Sequence, residues 1–129
     1  MPDLKTAGLF LNMADKDMDA LVRMVEYGGF AEEVFGLHAQ QAAEKLLKAW
    51  LCATNISKIP HIHDLDELAA LLIEQGENIP EGVSPLFELS DFAVQFRYEP
   101  YPSFDEPMDR EHILSLLQQL ALFVRENCR

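Results

Sequence analysis

Leu4, Ala7, Leu11, Ala14, Met18, Leu21 and Val25 follow one another at alternating intervals of three and four residues without a break. A chain keeps such a series on one side only by winding at about 3.6 residues per turn. The spacing therefore predicts an amphipathic helix from about Leu4 to Tyr27, about 36 Å long. A stripe of that length needs partners of comparable length to cover it, which points to a helical bundle. Asp3 stands where an N-cap belongs, and Gly28-Gly29 supplies the residues that most readily end a helix.

The rest of the chain repeats the pattern. A second helix is predicted over about Ala31 to Ala53, with Phe35, Ala39, Ala42, Leu46, Ala49, Trp50 and Ala53 on one face and Glu33, Gln40, Glu44 and Lys48 on the other. Asn55 to Pro60 reads as a loop, because Pro60 has no amide hydrogen to continue a helix. Asp64, with Glu67 three residues on, opens a third helix whose core side is Leu65, Leu68, Leu71 and Leu72 and whose stop is Gly76. Ser84-Pro85 places a cap before a first-turn proline, so a fourth helix is expected through Leu86, Leu89, Phe92 and Ala93 to about Arg97. Tyr98 to Pro107 holds three prolines and three aromatics in ten residues, the composition of a stiff loop. A last helix follows from about Met108 to Asn127, with Ile113, Leu116, Leu117, Leu120, Phe123 and Val124 on one side. The expected fold is all-α: an antiparallel, up-and-down bundle of four to five helices in a single domain, 1–129.

Charge narrows the function. The formal net charge is −12, which opposes unassisted binding to nucleic acid because phosphate contacts need clustered Lys and Arg. A basic protein partner suits such a surface better. No apolar run is long enough to span a bilayer, and Met1 to Lys5 lacks the flank of a signal peptide, so a cytoplasmic location is expected. Cys52 and Cys128 lack metal-site spacing, and Cys52 is read as a small core residue.

Four stretches, in order along the chain, resemble the HEPN family. Leu37-His38-Ala39-Gln40-Gln41-Ala42-Ala43-Glu44-Lys45-Leu46-Leu47-Lys48-Ala49-Trp50-Leu51 is similar to that family's second helix. His61-Ile62-His63-Asp64-Leu65 resembles the His-Asp-Leu opening of its third. Ala14-Asp15-Lys16-Asp17-Met18 resembles Ala-x-x-Asp-Leu in its first, and Arg97-Tyr98-Glu99-Pro100 resembles the Arg-Tyr-Pro step before its last. The resemblance implies a helical bundle, usually a homodimer, often encoded beside a minimal nucleotidyltransferase in a toxin–antitoxin pair. Ribonuclease members carry an Arg and a His a few residues apart at the start of the last helix. Here no His follows Arg97 until His112, fourteen residues intervening, and only Glu111 separates Arg110 from His112. The ribonuclease activity is therefore not expected to carry over.

The candidate binding residues are His38, Gln41, Lys45, Arg97 and Tyr98. The first three project within about 60° of one another beside the apolar face of the second helix, where a His, an amide and a cation can meet a phosphate or a base edge. The alternative is a half-buried polar seam against a neighbouring helix or a second subunit. Arg97 can meet phosphate and Tyr98 stack on a base, or Arg97 can bond the last carbonyls of its helix while Tyr98 plugs the core. Asp17 matches the family's aspartate position, and the resemblance points to a pairing with Lys45 or Arg97 across the bundle. His61 and His63 have no third ligand at metal-site spacing and are expected to bond across their loop. His112 is read as surface. No catalytic residue, metal or resident cofactor is expected, a nucleotide being the one ligand considered. The expected function is a non-catalytic binding module, homodimeric and paired with a small nucleotidyltransferase. The alternatives are a diverged metal-independent ribonuclease toxin and a helical homodimer that binds no nucleotide.

Overall fold

Asp3 starts the first helix by accepting the Thr6 amide at 3.0 Å and the Thr6 hydroxyl at 2.6 Å. Those two bonds, the hydroxyl first, hold its carboxyl below the usual carboxylate range. The structure, a computed structural model, describes residues 2–90 and 108–128. Helix α1 spans Leu4–Tyr27 and buries Ala7, Ala14, Leu21 and Met24. It ends where Gly28 and Gly29 both take positive φ, +68° and +82°, a pair of backbone states that side chains with a Cβ resist. The chain then reverses within a few residues into α2, Glu32–Cys52. Asp3 donates its backbone N–H to the Cys52 carbonyl at 2.7 Å, so the start of α1 is tied to the end of α2. The two helices are antiparallel and form the largest packing contact of the fold.

Helix α3, Leu65–Glu74, is opened by Asp64, whose Oδ1 accepts the amides of Asp66 (2.8 Å) and Glu67 (3.3 Å). It closes on Gly76 at φ +88°, with Glu77 N–H returned to Leu72 O and Gly76 N–H to Ile73 O. The connection from α2 lays Ile56, Ile59 and Ile62 against the core.

Ser84-Pro85 does not open an α-helix. Glu81–Leu89 is a 3₁₀ helix with Pro85 inside it. Proline lacks the amide an α-turn would need from it, and the tighter winding puts Val83, Leu86 and Leu89 on one buried side at three-residue spacing. The remainder of the expected fourth helix, and the proline-rich loop after it, lie outside the described residues.

The last helix, α4, spans Arg110–Asn127 and is capped by Asp109, which accepts the His112 amide at 3.0 Å. At its start the Met108 amide donates to Glu32 Oε1 at 3.0 Å, and at its end Cys128 Sγ lies 3.6 Å from the Ala49 carbonyl. Both ends of α4 thus meet the matching ends of α2, so α4 runs parallel to α2 and antiparallel to α1. Leu114, Leu116, Leu117, Leu120 and Val124 are buried, while Ile113 and Phe123 sit at the margin of the core. Trp50 lies edge-on to Phe123, ring centres 5.0 Å apart. Among the described residues the fold is all-helical, as the periodicity predicts.

One assignment from the sequence is corrected. Gln40, Glu44 and Lys48 do not form a solvated face of α2: they are 0%, 5% and 7% exposed. Helices α1, α3 and α4 and the 3₁₀ helix all pack on α2, so it is the central strut of the fold and is covered nearly all round.

Candidate functional site

A belt of polar side chains crosses the middle of α2. On one side, Asp17 of α1 reaches across to α2. Its Oδ2 accepts from Lys45 Nζ at 2.6 Å and its Oδ1 lies 3.2 Å from His38 Nδ1. Lys45 and Asp17 keep only 17% and 13% of their side-chain surface exposed, so the pair is shielded from the solvent that would weaken it. A carboxylate can only accept, so the His38 Nδ1 facing it carries the proton. The imidazole, 39% exposed, is left with Nε2 as its free edge. Of the three residues His38, Gln41 and Lys45, two are held by one acid from the neighbouring helix.

The other side of the belt is buried. Gln40 Nε2 donates to Glu44 Oε1 at 3.1 Å and to the His63 carbonyl at 3.0 Å. Glu44 Oε1 also faces His63 Nδ1 at 3.0 Å, and Oε2 accepts from Lys48 Nζ at 3.1 Å. Three donors on one carboxylate are what a buried charge requires, since an unpaired one costs several kcal/mol, roughly, to remove from water. Gln41 joins the two halves by donating to Gln40 Oε1 at 2.8 Å. His63 is oriented as His38 is: Nδ1 on a carboxylate and the far edge of a half-exposed ring toward solvent. The belt therefore presents two histidines each oriented by Nδ1 on a carboxylate, an arrangement able to hydrogen-bond a ligand or a protein edge at Nε2.

The expected candidates fall out as follows. His38 and Lys45 meet on Asp17, and Gln41 turns toward the buried half; Arg97 and Tyr98 lie outside the described residues. His63 bonds across its loop to Glu44, whereas His61 is exposed. Among the described residues no three His, Cys, Asp or Glu side chains gather as a metal site. His112 is exposed. Arg110 turns instead to the α1–α2 connection, donating to the Phe30 carbonyl and placing its guanidinium 5.3 Å from the centre of the Phe35 ring. An open groove of about 490 Å³ lies there, lined by Met24, Val25, Phe30, Met108 and Arg110 among others; His38, Gln41 and Lys45 do not line it.

The buried Gln40–Glu44–Lys48 triad was missed in the sequence, although a signal existed. Leu51 projects about 20° from both Gln40 and Glu44, and Leu47 about 20° from Gln40, so that sector of α2 alternates leucine with polar groups. A solvated face has no use for one leucine in its middle and another at its edge.

No helix among the described residues is long and apolar enough to cross a membrane. No curated protein and no solved structure matches the chain. The family model of the HEPN domain matches residues 7–127, which takes in the four described α-helices almost end to end. With the α1–α2 hairpin and its polar belt in place, the chain belongs to the HEPN domain family.

Proposed function

We propose that the protein is a non-catalytic HEPN-type binding module that docks a small nucleotidyltransferase and offers the His38–Gln41–Lys45 edge of α2, together with Arg97 and Tyr98, as a nucleotide-contacting groove. The observation that carries this reading is the engagement of Lys45 on Asp17 at 2.6 Å. A cation neutralised by its own fold adds little pull on a phosphate, while the Nε2 edge of the His38 imidazole stays free to hydrogen-bond. Such an edge suits recognition of a base, a ribose or a protein backbone better than strand scission. The net charge of −12 and the lack of a histidine close behind Arg97 in the sequence support the same choice.

The test is reconstitution with the minimal nucleotidyltransferase, bearing a Gly-Ser and paired-Asp motif, that is expected to be encoded beside this chain. Purified separately and mixed at micromolar concentration, the two should co-elute as one species. ATP should raise the melting temperature of the chain or of the complex, because a ligand selective for the native state must stabilise it. Failure to associate overturns the proposal. Metal-independent RNA cleavage by the chain alone, lost in both Arg97→Ala and His38→Ala, would replace it with a ribonuclease.

A further inference from the structure

Helix α1 carries a second seam on the side away from the core. Leu9, Met13, Lys16, Ala20, Arg23 and Tyr27 again alternate by four and three residues, roughly opposite the buried Ala7–Ala14–Leu21 line. Leu9 is 57% exposed, Met13 44% and Tyr27 79%. Lys16 and Arg23 are exposed as well, and among the described residues neither makes an ion pair. Scattered exposed leucines are ordinary on a surface. Three exposed apolar residues and two cations outside any ion pair, in register on one face of one helix with the half-buried Ala20 between them, are not scattered.

We infer that this outer face of α1 is a docking surface for an amphipathic helix of a partner protein, apolar along its seam and bearing carboxylates opposite Lys16 and Arg23. The inference rests on the reading of the chain as a binding module, and adds which face binds and what the partner presents. Charge decides between occupants. A second copy, packed antiparallel with Leu9 of each chain on Tyr27 of the other, puts Lys16 and Arg23 of both copies into one seam. It also brings together two bodies of formal charge −12. Cations of like sign in a desolvated seam repel, whereas carboxylates there complete hydrogen-bonded pairs. The acidic remainder of the chain can still draw a partner whose overall charge is basic; it is the seated helix that is acidic.

The probes are two labelled synthetic helical peptides with the same Leu/Ala seam, one with Glu and one with Lys at the two positions that face Lys16 and Arg23. Titrated with the full chain and read by fluorescence anisotropy, the Glu peptide should saturate and the Lys peptide should bind at least about tenfold more weakly. The doubly substituted Lys16→Glu/Arg23→Glu chain should reverse that preference, and Leu9→Ser/Tyr27→Ser should remove binding of both. All four positions are exposed, so circular dichroism should show each variant folded. No saturation by the Glu peptide up to about 1 mM overturns the inference, as does a preference that survives charge reversal. Self-association of the chain that Leu9→Ser/Tyr27→Ser abolishes also overturns it, by naming a second copy as the occupant. A nucleotidyltransferase that binds the wild type and Leu9→Ser/Tyr27→Ser equally well overturns the docking face and leaves the proposed function standing. Peptide binding with the expected charge preference, but none of the nucleotidyltransferase, upholds the face and rejects that partner.

Discussion

Glu44 is the side chain on which the interior of this protein depends most. Buried to 5% exposure, its carboxylate is tolerable only because Gln40, His63 and Lys48 all donate to it. Lys48→Met removes the compensating charge and should lower unfolding stability by about 3 kcal/mol in urea titration. Replacing the pair together, Glu44→Leu with Lys48→Met, should recover most of that loss, since well-packed apolar residues often match a buried ion pair. A double variant as unstable as the single one would show that the remaining contacts of Gln40 and His63, not the charge pair, set the cost. Cys52 gives a second residue-scale expectation. Burial, reinforced by the nearby Asp3 carboxylate and Cys128, pushes its thiol up to about 11. The folded pKa lies above the unfolded one, so the unfolded chain loses the proton first as pH rises. The stability contribution of Cys52 is complete below about pH 9 and is lost as pH climbs toward 11. Thermal melts should fall through that window, and Cys52→Ala should flatten the fall. At neutral pH an alkylating reagent should modify Cys128, which is partly exposed, well before Cys52.

At the scale of elements, α3 shows how local chemistry sets a boundary. Asp64 satisfies two amides that the first turn leaves without helical partners, and Gly76 takes the left-handed conformation that returns the last carbonyls their donors. Asp64→Ala should cost about 1 kcal/mol. At Gly76 nothing lies within 4 Å of where a Cβ would stand, so Gly76→Ala meets no clash and its cost is backbone strain alone, about 1–2 kcal/mol. Equal stability of Gly76→Ala and wild type in chemical denaturation would mean that the turn has shifted to another conformation. The 3₁₀ helix differs from α3 because Pro85 sits within it and cannot donate. It is tied back through its following residue, Ser90, whose hydroxyl oxygen accepts the Leu65 amide at 2.9 Å. The boundary of α3 is therefore set by its own sequence at both ends and supported by a distant serine at one.

At the scale of the molecule, α2 is the strut and every other described helix leans on it. Its residues from Ala39 to Cys52 are nearly all buried, polar ones included, apart from the edge that carries Gln41 and Lys45. Opening any one neighbour still leaves α2 covered by the others. Native-state hydrogen exchange should therefore show the amides of Ala42 to Leu51 exchanging only through global unfolding, while those of α3 and the 3₁₀ helix open at lower free energy. Exchange of α2 through a partial opening would contradict its central place. The Asp17 clasp belongs to this scale too: it fastens the α1–α2 hairpin from the side at a point where α1 is otherwise held by small residues such as Ala14.

The sequence by itself determined the elements that local rules control. The three-four spacing, Asp3, Gly28, Asp64, Gly76 and the family's stretches around His38 to Leu51 each act within a few residues of themselves, and α1 begins and ends where they place it. Helix geometry put His38 and Lys45 on one stripe, and the family resemblance pointed to Asp17 as a partner for Lys45 or Arg97; the packing of α1 on α2 brought Asp17 to both His38 and Lys45. Tertiary structure alone decided which side of α2 meets water. Gln40, Glu44 and Lys48 look solvated in any one-helix projection. Whether they are depends on how many neighbours surround the helix, and the chain resolves it by pairing them with one another and with His63 from a distant loop. It also left Leu9, Met13 and Tyr27 uncovered although their spacing continues the three-four pattern of the buried line. Periodicity specifies that a face can be packed; only the arrangement of the other helices specifies which face is.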